Sequence, residues 1–171
     1  MGLPRKLEDV TALQAALAIL FVATGTIVGA WIFEYFGYLP CELCLKQRWA
    51  YYAGVPLAAV TAVLAWRGPR SLTIAGLALL GLVWVGSSIF GVYHSGVEWG
   101  FWQGPTDCTG SLNAAPSIND FLKQLETVKV VRCDAVAIRI LGLSLAGWNA
   151  VISAAMAVAA FAGAKAALRR G

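Results

Sequence analysis

Charge is scarce in this chain. Only 13% of its 171 residues are Asp, Glu, Lys or Arg, against about 25% in an ordinary soluble domain. That excludes a disordered chain, which needs low hydrophobicity and high net charge. Cysteine is sparse too. Four in 171 residues are too few for a small secreted disulfide scaffold. Histidine occurs once, as His94. No basic stripe carries interleaved aromatics, so the formal charge of +4 does not point to nucleic acid. No internal repeat, low-complexity segment or linker divides the chain. What is abundant is apolar surface: 59% of residues, with a mean hydropathy of +0.71. A soluble globule of this length cannot enclose that much. The class that remains is an integral membrane protein, expected to be one domain over residues 1–171.

Four apolar stretches approach or exceed the roughly 20 helical residues a bilayer requires. They run over about 11–33, 49–66, 72–93 and 140–164. None alternates with period two, and all are rich in Ala and Leu, so helices are expected and strands are not. Arg5 and Lys6 precede the first stretch, and Val28-Gly29-Ala30 resembles a cleavage site. Its apolar run is nevertheless longer than the roughly 7–15 residues of a signal peptide, so it reads as a span. With very short connections, the four spans predict an all-α membrane protein, a compact antiparallel four-helix bundle.

Basic residues set the orientation. Arg5, Lys6, Arg67, Arg70, Lys165, Arg169 and Arg170 crowd three short segments on one side. Lys46, Arg48, Lys123, Lys129, Arg132 and Arg139 are spread over two longer loops on the other. Both termini and the 67–71 turn are therefore expected in the cytoplasm, with loops 34–48 and 94–139 outside. Trp31, Tyr35, Phe36, Tyr38, Trp49, Tyr51, Tyr52 and Tyr93 collect at the outer boundary, as an interfacial belt would. Gly25 and Gly29 form a small-xxx-small pair, with Gly142 and Gly147 a close relative, which predicts tight helix packing. In the second outer loop, Ser117 is a candidate N-cap. Ile118, Phe121, Leu122 and Leu125 follow as a one-faced apolar stripe. This short helix either lies on the membrane surface or caps the bundle.

All four cysteines fall in the outer loops, where disulfides persist. Cys41-Glu42-Leu43-Cys44 leads directly into the second apolar helix. A helix N-terminus favours a thiolate, the attacking species in disulfide exchange. A structural bridge across so short a loop constrains little, so redox work is the better reading of this pair. Cys108 and Cys133 enclose 24 residues. A bridge there is either structural, worth roughly 3–4 kcal/mol by loop entropy, or an accessible redox disulfide on a turn-rich loop. A zinc site normally needs two C-x-x-C knuckles, and only one is present, so no metal is expected. Arg48 stands four residues beyond Cys44, one helical turn away. It either stabilises a thiolate and donates to an oxygen-bearing cofactor, or snorkels at a helix end. His94 ends the third span at the depth of the C-x-x-C pair. It is either a donor to a headgroup-level ligand or a lone interfacial histidine.

The run Pro40-Cys41-Glu42-Leu43-Cys44-Leu45-Lys46-Gln47-Arg48, at the start of a second membrane helix, resembles the disulfide bond formation protein B (DsbB) family. So do the four spans, the second cysteine pair after span three and the segment from Leu141 to Asn149. The resemblance covers nearly the whole chain. It implies a bacterial inner-membrane, quinone-dependent thiol–disulfide oxidoreductase. Such an enzyme reoxidises a periplasmic thioredoxin-like (DsbA-like) thiol oxidase and passes electrons to ubiquinone or menaquinone. Carried over by residue, Cys108–Cys133 is the disulfide that meets the partner, with Cys108 attacked. Cys41–Cys44 is the disulfide next to the quinone. Cys44 faces the quinone, Arg48 lies beside its carbonyl, and His94 belongs to the quinone site. The rivals are a non-catalytic bundle braced by loop disulfides, and a relative of the vitamin K epoxide reductases. In those enzymes the C-x-x-C comes late in the chain, which disfavours them.

Overall fold

The computed structural model describes residues 7–105, 117–119 and 131–169. Helix α1 spans Leu7–Tyr35, α2 Glu42–Arg67 and α3 Arg70–Glu98. A two-stranded hairpin follows, β1 Arg139–Ile140 and β2 Leu143–Ser144, and then α4, Leu145–Leu168. The four helices are each long and apolar enough to cross a membrane. The amphipathic segment expected to begin at Ser117 lies outside the described residues, apart from 117–119.

Local signals decide where each helix stops. After α1, Gly37 takes φ +92°. Its N–H returns to the Glu34 carbonyl and that of Tyr38 to Phe33. This paired capping needs a residue without a Cβ at the left-handed position. Gly100 ends α3 the same way, with N–H groups of Gly100 and Phe101 on the carbonyls of Val97 and Gly96. Between α2 and α3 only Gly68 and Pro69 intervene. The fourth helix starts five residues later than the apolar run that begins at Ile140. Leu141 and Gly142 both have positive φ, the geometry of a tight hairpin turn. Ser144 then caps α4, its Oγ accepting from the Gly147 N–H at 3.1 Å.

Each helix packs on its neighbours in a ring, α1 on α2, α2 on α3, α3 on α4 and α4 back on α1. The α3–α4 seam is the tightest. A Cβ on Gly91 would lie 2.8 Å from the Ala150 nitrogen. The Ser87 and Ser153 hydroxyls meet at 2.9 Å, and Ser88 donates to the Ala150 carbonyl. Trp84 is fully buried at the centre, with Tyr51 edge-on at 5.1 Å. Leu17, Val63, Leu82 and Val158 point outward and are exposed, as lipid-facing side chains are.

Two sequence expectations change here. Gly25 and Gly29 do not seat a neighbouring helix, because a Cβ on either would meet nothing within 4 Å. They line a cavity instead. Gly142 is a turn residue, whereas Gly147 does face α3, where a Cβ would lie 3.3 Å from the Ser95 hydroxyl. Tyr51 is not part of the aromatic belt. It is 4% exposed and turned inward, whereas Tyr35, Trp49 and Tyr52 are exposed.

Candidate functional site

The site is built on the first turn of α2. Cys41 is the N-cap residue, and its Sγ accepts from the Cys44 N–H at 3.3 Å. Because Cys44 sits three residues on, the helix brings the two sulphurs to 2.7 Å. Both are free thiols. Cys41 is 5% exposed and Cys44 is half-buried. The hydrogen bond from Cys44 is the largest influence on Cys41, and His94 adds to it. Together they outweigh burial and hold the Cys41 thiol down to about 5. Of the two, Cys41 is the one whose thiolate these surroundings favour.

His94 comes from the last turn of α3. It is 1% exposed, with Nε2 3.5 Å from the Cys41 sulphur and Nδ1 3.1 Å from Gln47 Nε2. An amide N–H donating to Nδ1 leaves the ring proton on Nε2, directed at the sulphur. Cys41, Cys44 and His94 thus offer three donor atoms within 4.8 Å of one another. That set suits a soft cation in the dithiol state, and equally suits a thiolate held by an imidazole.

Two cavities meet at this dithiol. The smaller, about 40 Å³, is lined by Cys41, Cys44, His94, Glu98, Val131 and Arg132 among others. Cys41 also packs with Leu43, Val97 and Cys133 in one buried cluster. Cys133 is 2% exposed and disulfide-bonded. Cys108 lies outside the described residues. The larger cavity, about 490 Å³, is lined by Cys44, Gln47, Arg48, Tyr51 and Asn149, with an apolar wall from Phe21 to Phe33 on α1. Arg48 is one turn below Cys44, and its guanidinium donates to Glu34 at 2.6 Å. Only Cys44 of the two thiols borders both spaces.

The chain matches the model of the family described as "Disulfide bond formation protein DsbB" over residues 12–163. The chain belongs to the DsbB family. Membership implies disulfide oxidoreductase activity at a membrane. An uncharacterized protein of Rickettsia prowazekii (strain Madrid E) is 26% identical over 140 residues, 80% of this chain and 78% of that protein. No solved structure matches the chain.

Of the residues picked from the sequence, Cys41, Cys44 and His94 come together at one end of the DsbB-family bundle. Cys133 packs beside Cys41. Arg48 lies across Cys44 from them, in the large cavity. His94 borders the small cavity and not the large one, so it faces Cys41 and not Arg48. The sequence does not single out Glu34 or Gln47, it reads Tyr51 as a belt residue, and Asn149 enters only as the end of the Leu141–Asn149 segment. Asn149 carried a signal, since a polar amide inside an apolar span needs a partner. Gln47 carried a weaker one, standing three residues after Cys44 on the same helix face.

Proposed function

We propose that this DsbB-family protein is a quinone-dependent thiol–disulfide oxidoreductase that reoxidises a thioredoxin-like dithiol oxidase. The observation that carries the reading is the position of Cys44, which borders both cavities. On one side Cys41 packs with the disulfide-bonded Cys133. On the other, Cys44 shares a large apolar cavity with Arg48.

The residues fit a quinone. A cavity of about 490 Å³ falls within the roughly 300–1,000 Å³ typical of small-molecule sites. Its long wall on α1 suits an isoprenoid tail, and Gly25 and Gly29 keep that wall open. Arg48, 12% exposed at its side chain, can donate a charge-assisted hydrogen bond to a ring carbonyl. Quinone is the second substrate and supplies a two-electron, two-proton acceptor.

The relay then has two exchanges. The partner's dithiol attacks Cys108 of a Cys108–Cys133 disulfide. A mixed disulfide forms, then resolves to leave Cys108 and Cys133 as thiols and the partner oxidised. These thiols reduce a Cys41–Cys44 disulfide and are reoxidised. The Cys41–Cys44 dithiol gives two electrons and two protons to quinone and closes again. Cys41 serves the loop side, Cys44 the quinone side. The distribution of basic residues supports a topology with cytoplasmic termini and these sites on the periplasmic face of the inner membrane.

The test mixes purified protein, quinone and a reduced thioredoxin-like partner, and follows quinone absorbance. Wild type turns over, and Cys44→Ser does not. Unchanged turnover in Cys44→Ser refutes the mechanism.

A further inference from the structure

Among the described residues, the large cavity is lined by a buried donor with no acceptor. Asn149 lies in the second turn of α4 and is 8% exposed. Its Oδ1 accepts from the Tyr51 hydroxyl at 2.6 Å. Its Nδ2 has no hydrogen-bond partner among the described residues. With the Tyr51 hydroxyl donating to Oδ1, the amide oxygen is turned toward α2 and the N–H₂ group is left over. Buried donors are nearly always satisfied, and an orphan in a cavity marks a place for an acceptor. The surroundings narrow that acceptor's chemistry. The cavity around Asn149 is apolar, formed by Ile27, Phe33, Leu145 and Ile152 among others. Apart from Arg48, which is already paired with Glu34, little there compensates a charged or strongly hydrated ligand for its lost water. An uncharged, planar ring bearing a carbonyl oxygen needs little compensation.

We infer that the Asn149 amide binds a ring carbonyl of the quinone, with Tyr51 as the residue that positions it. Arg48 on α2 and Asn149 on α4 then hold the two oxygens of one ring from different helices, beside Cys44. This rests on the quinone reading of the cavity and adds its second polar anchor. Two anchors orient the ring; one leaves it free to turn about the Arg48 contact. The site also becomes selective. A pocket with a buried donor rejects an isosteric ring lacking the acceptor, because the donor is then left unpaired.

The experiment is quinone titration of the full-length protein in lipid nanodiscs, with Asn149→Leu, Tyr51→Phe and wild type compared. A matched ligand carries the same tail on a plain benzene ring. Asn149→Leu is expected to weaken quinone binding about tenfold, and to leave binding of the benzene analogue within twofold. Tyr51→Phe is expected to weaken quinone binding about threefold, since the amide loses its restraint. In turnover the loss falls on KM and leaves kcat nearly unchanged. Quinone affinities within twofold of wild type in both variants overturn the inference. That result assigns the orphan donor to another acceptor, such as a lipid ester carbonyl. If Asn149→Leu does not fold, Tyr51→Phe decides alone: unchanged affinity overturns the inference. Failure of wild type to reduce quinone would instead sink the reading of the cavity, a separate outcome.

Discussion

Replacing Cys44 with alanine should raise the pH at which Cys41 becomes a thiolate. The thiol of Cys41 is held near 5, against an ordinary 9.0, and the Cys44 hydrogen bond is the first cause. At pH 7 a thiol at 5 is about 99% thiolate, and one at 9 about 1%. A single rate at pH 7 would nevertheless mislead. Nucleophilicity rises with pKa at a Brønsted slope of about 0.4–0.5, so the scarcer thiolate reacts about 40–100-fold faster. The two effects nearly cancel, and only the midpoint of the pH profile separates them. The assay alkylates reduced protein with a small uncharged reagent from pH 4 to 10. Modification of Cys41 is read by peptide mass spectrometry, because the other thiols are also reduced. Wild type should show a midpoint near 5. In Cys44→Ala it should climb by more than one pH unit. A wild-type midpoint near 9, or one that Cys44→Ala leaves in place, refutes the account of the site.

Arg48→Ala should raise the quinone KM about tenfold or more, the worth of a charge-assisted hydrogen bond, while stopped-flow exchange with the partner is unchanged. His94→Leu should raise the Cys41 midpoint by less than Cys44→Ala does, since His94 is the smaller of the two influences. Because the folded-state value of Cys41 is depressed, its thiolate contributes stability above the unfolded value that is lost as pH falls through about 5. Thermal unfolding of the reduced protein should therefore worsen from pH 9 to 5 more than that of the oxidised protein. Gly91→Ala should destabilise the bundle by about 1–3 kcal/mol, because the α4 backbone cannot yield. Gly25→Ala should cost almost nothing or stabilise, and unfolding in mixed micelles would compare the two.

Much of this architecture is legible in the sequence because membrane spans are long-range averages. The four helices follow from apolar length alone, and the dithiol from a C-x-x-C run at a helix start. Boundaries and packing are not averages. Ile140 continues an apolar run, yet Leu141 and Gly142 turn the chain, and the helix waits for Ser144. Gly25 and Gly29 have the spacing of a packing motif, but spacing cannot tell a neighbouring helix from a cavity wall. Tyr51 looks interfacial by position. Its inward direction depends on Trp84 and Asn149, which only the folded bundle brings near. His94 has the right depth, and its facing is decided by which side of α2 it packs against. Arg48, ambiguous in the sequence, lines the large cavity beside Cys44.

In the proposed relay, electrons pass from Cys108–Cys133 through Cys41–Cys44 to quinone. Disulfide mapping of the protein with reduced partner, in the presence and absence of quinone, tests it most directly. Without quinone, both pairs should be found reduced once partner is added in excess. With quinone, both should return to disulfides as the partner is oxidised. If Cys41–Cys44 stays oxidised when excess reduced partner is added without quinone, the relay does not exist.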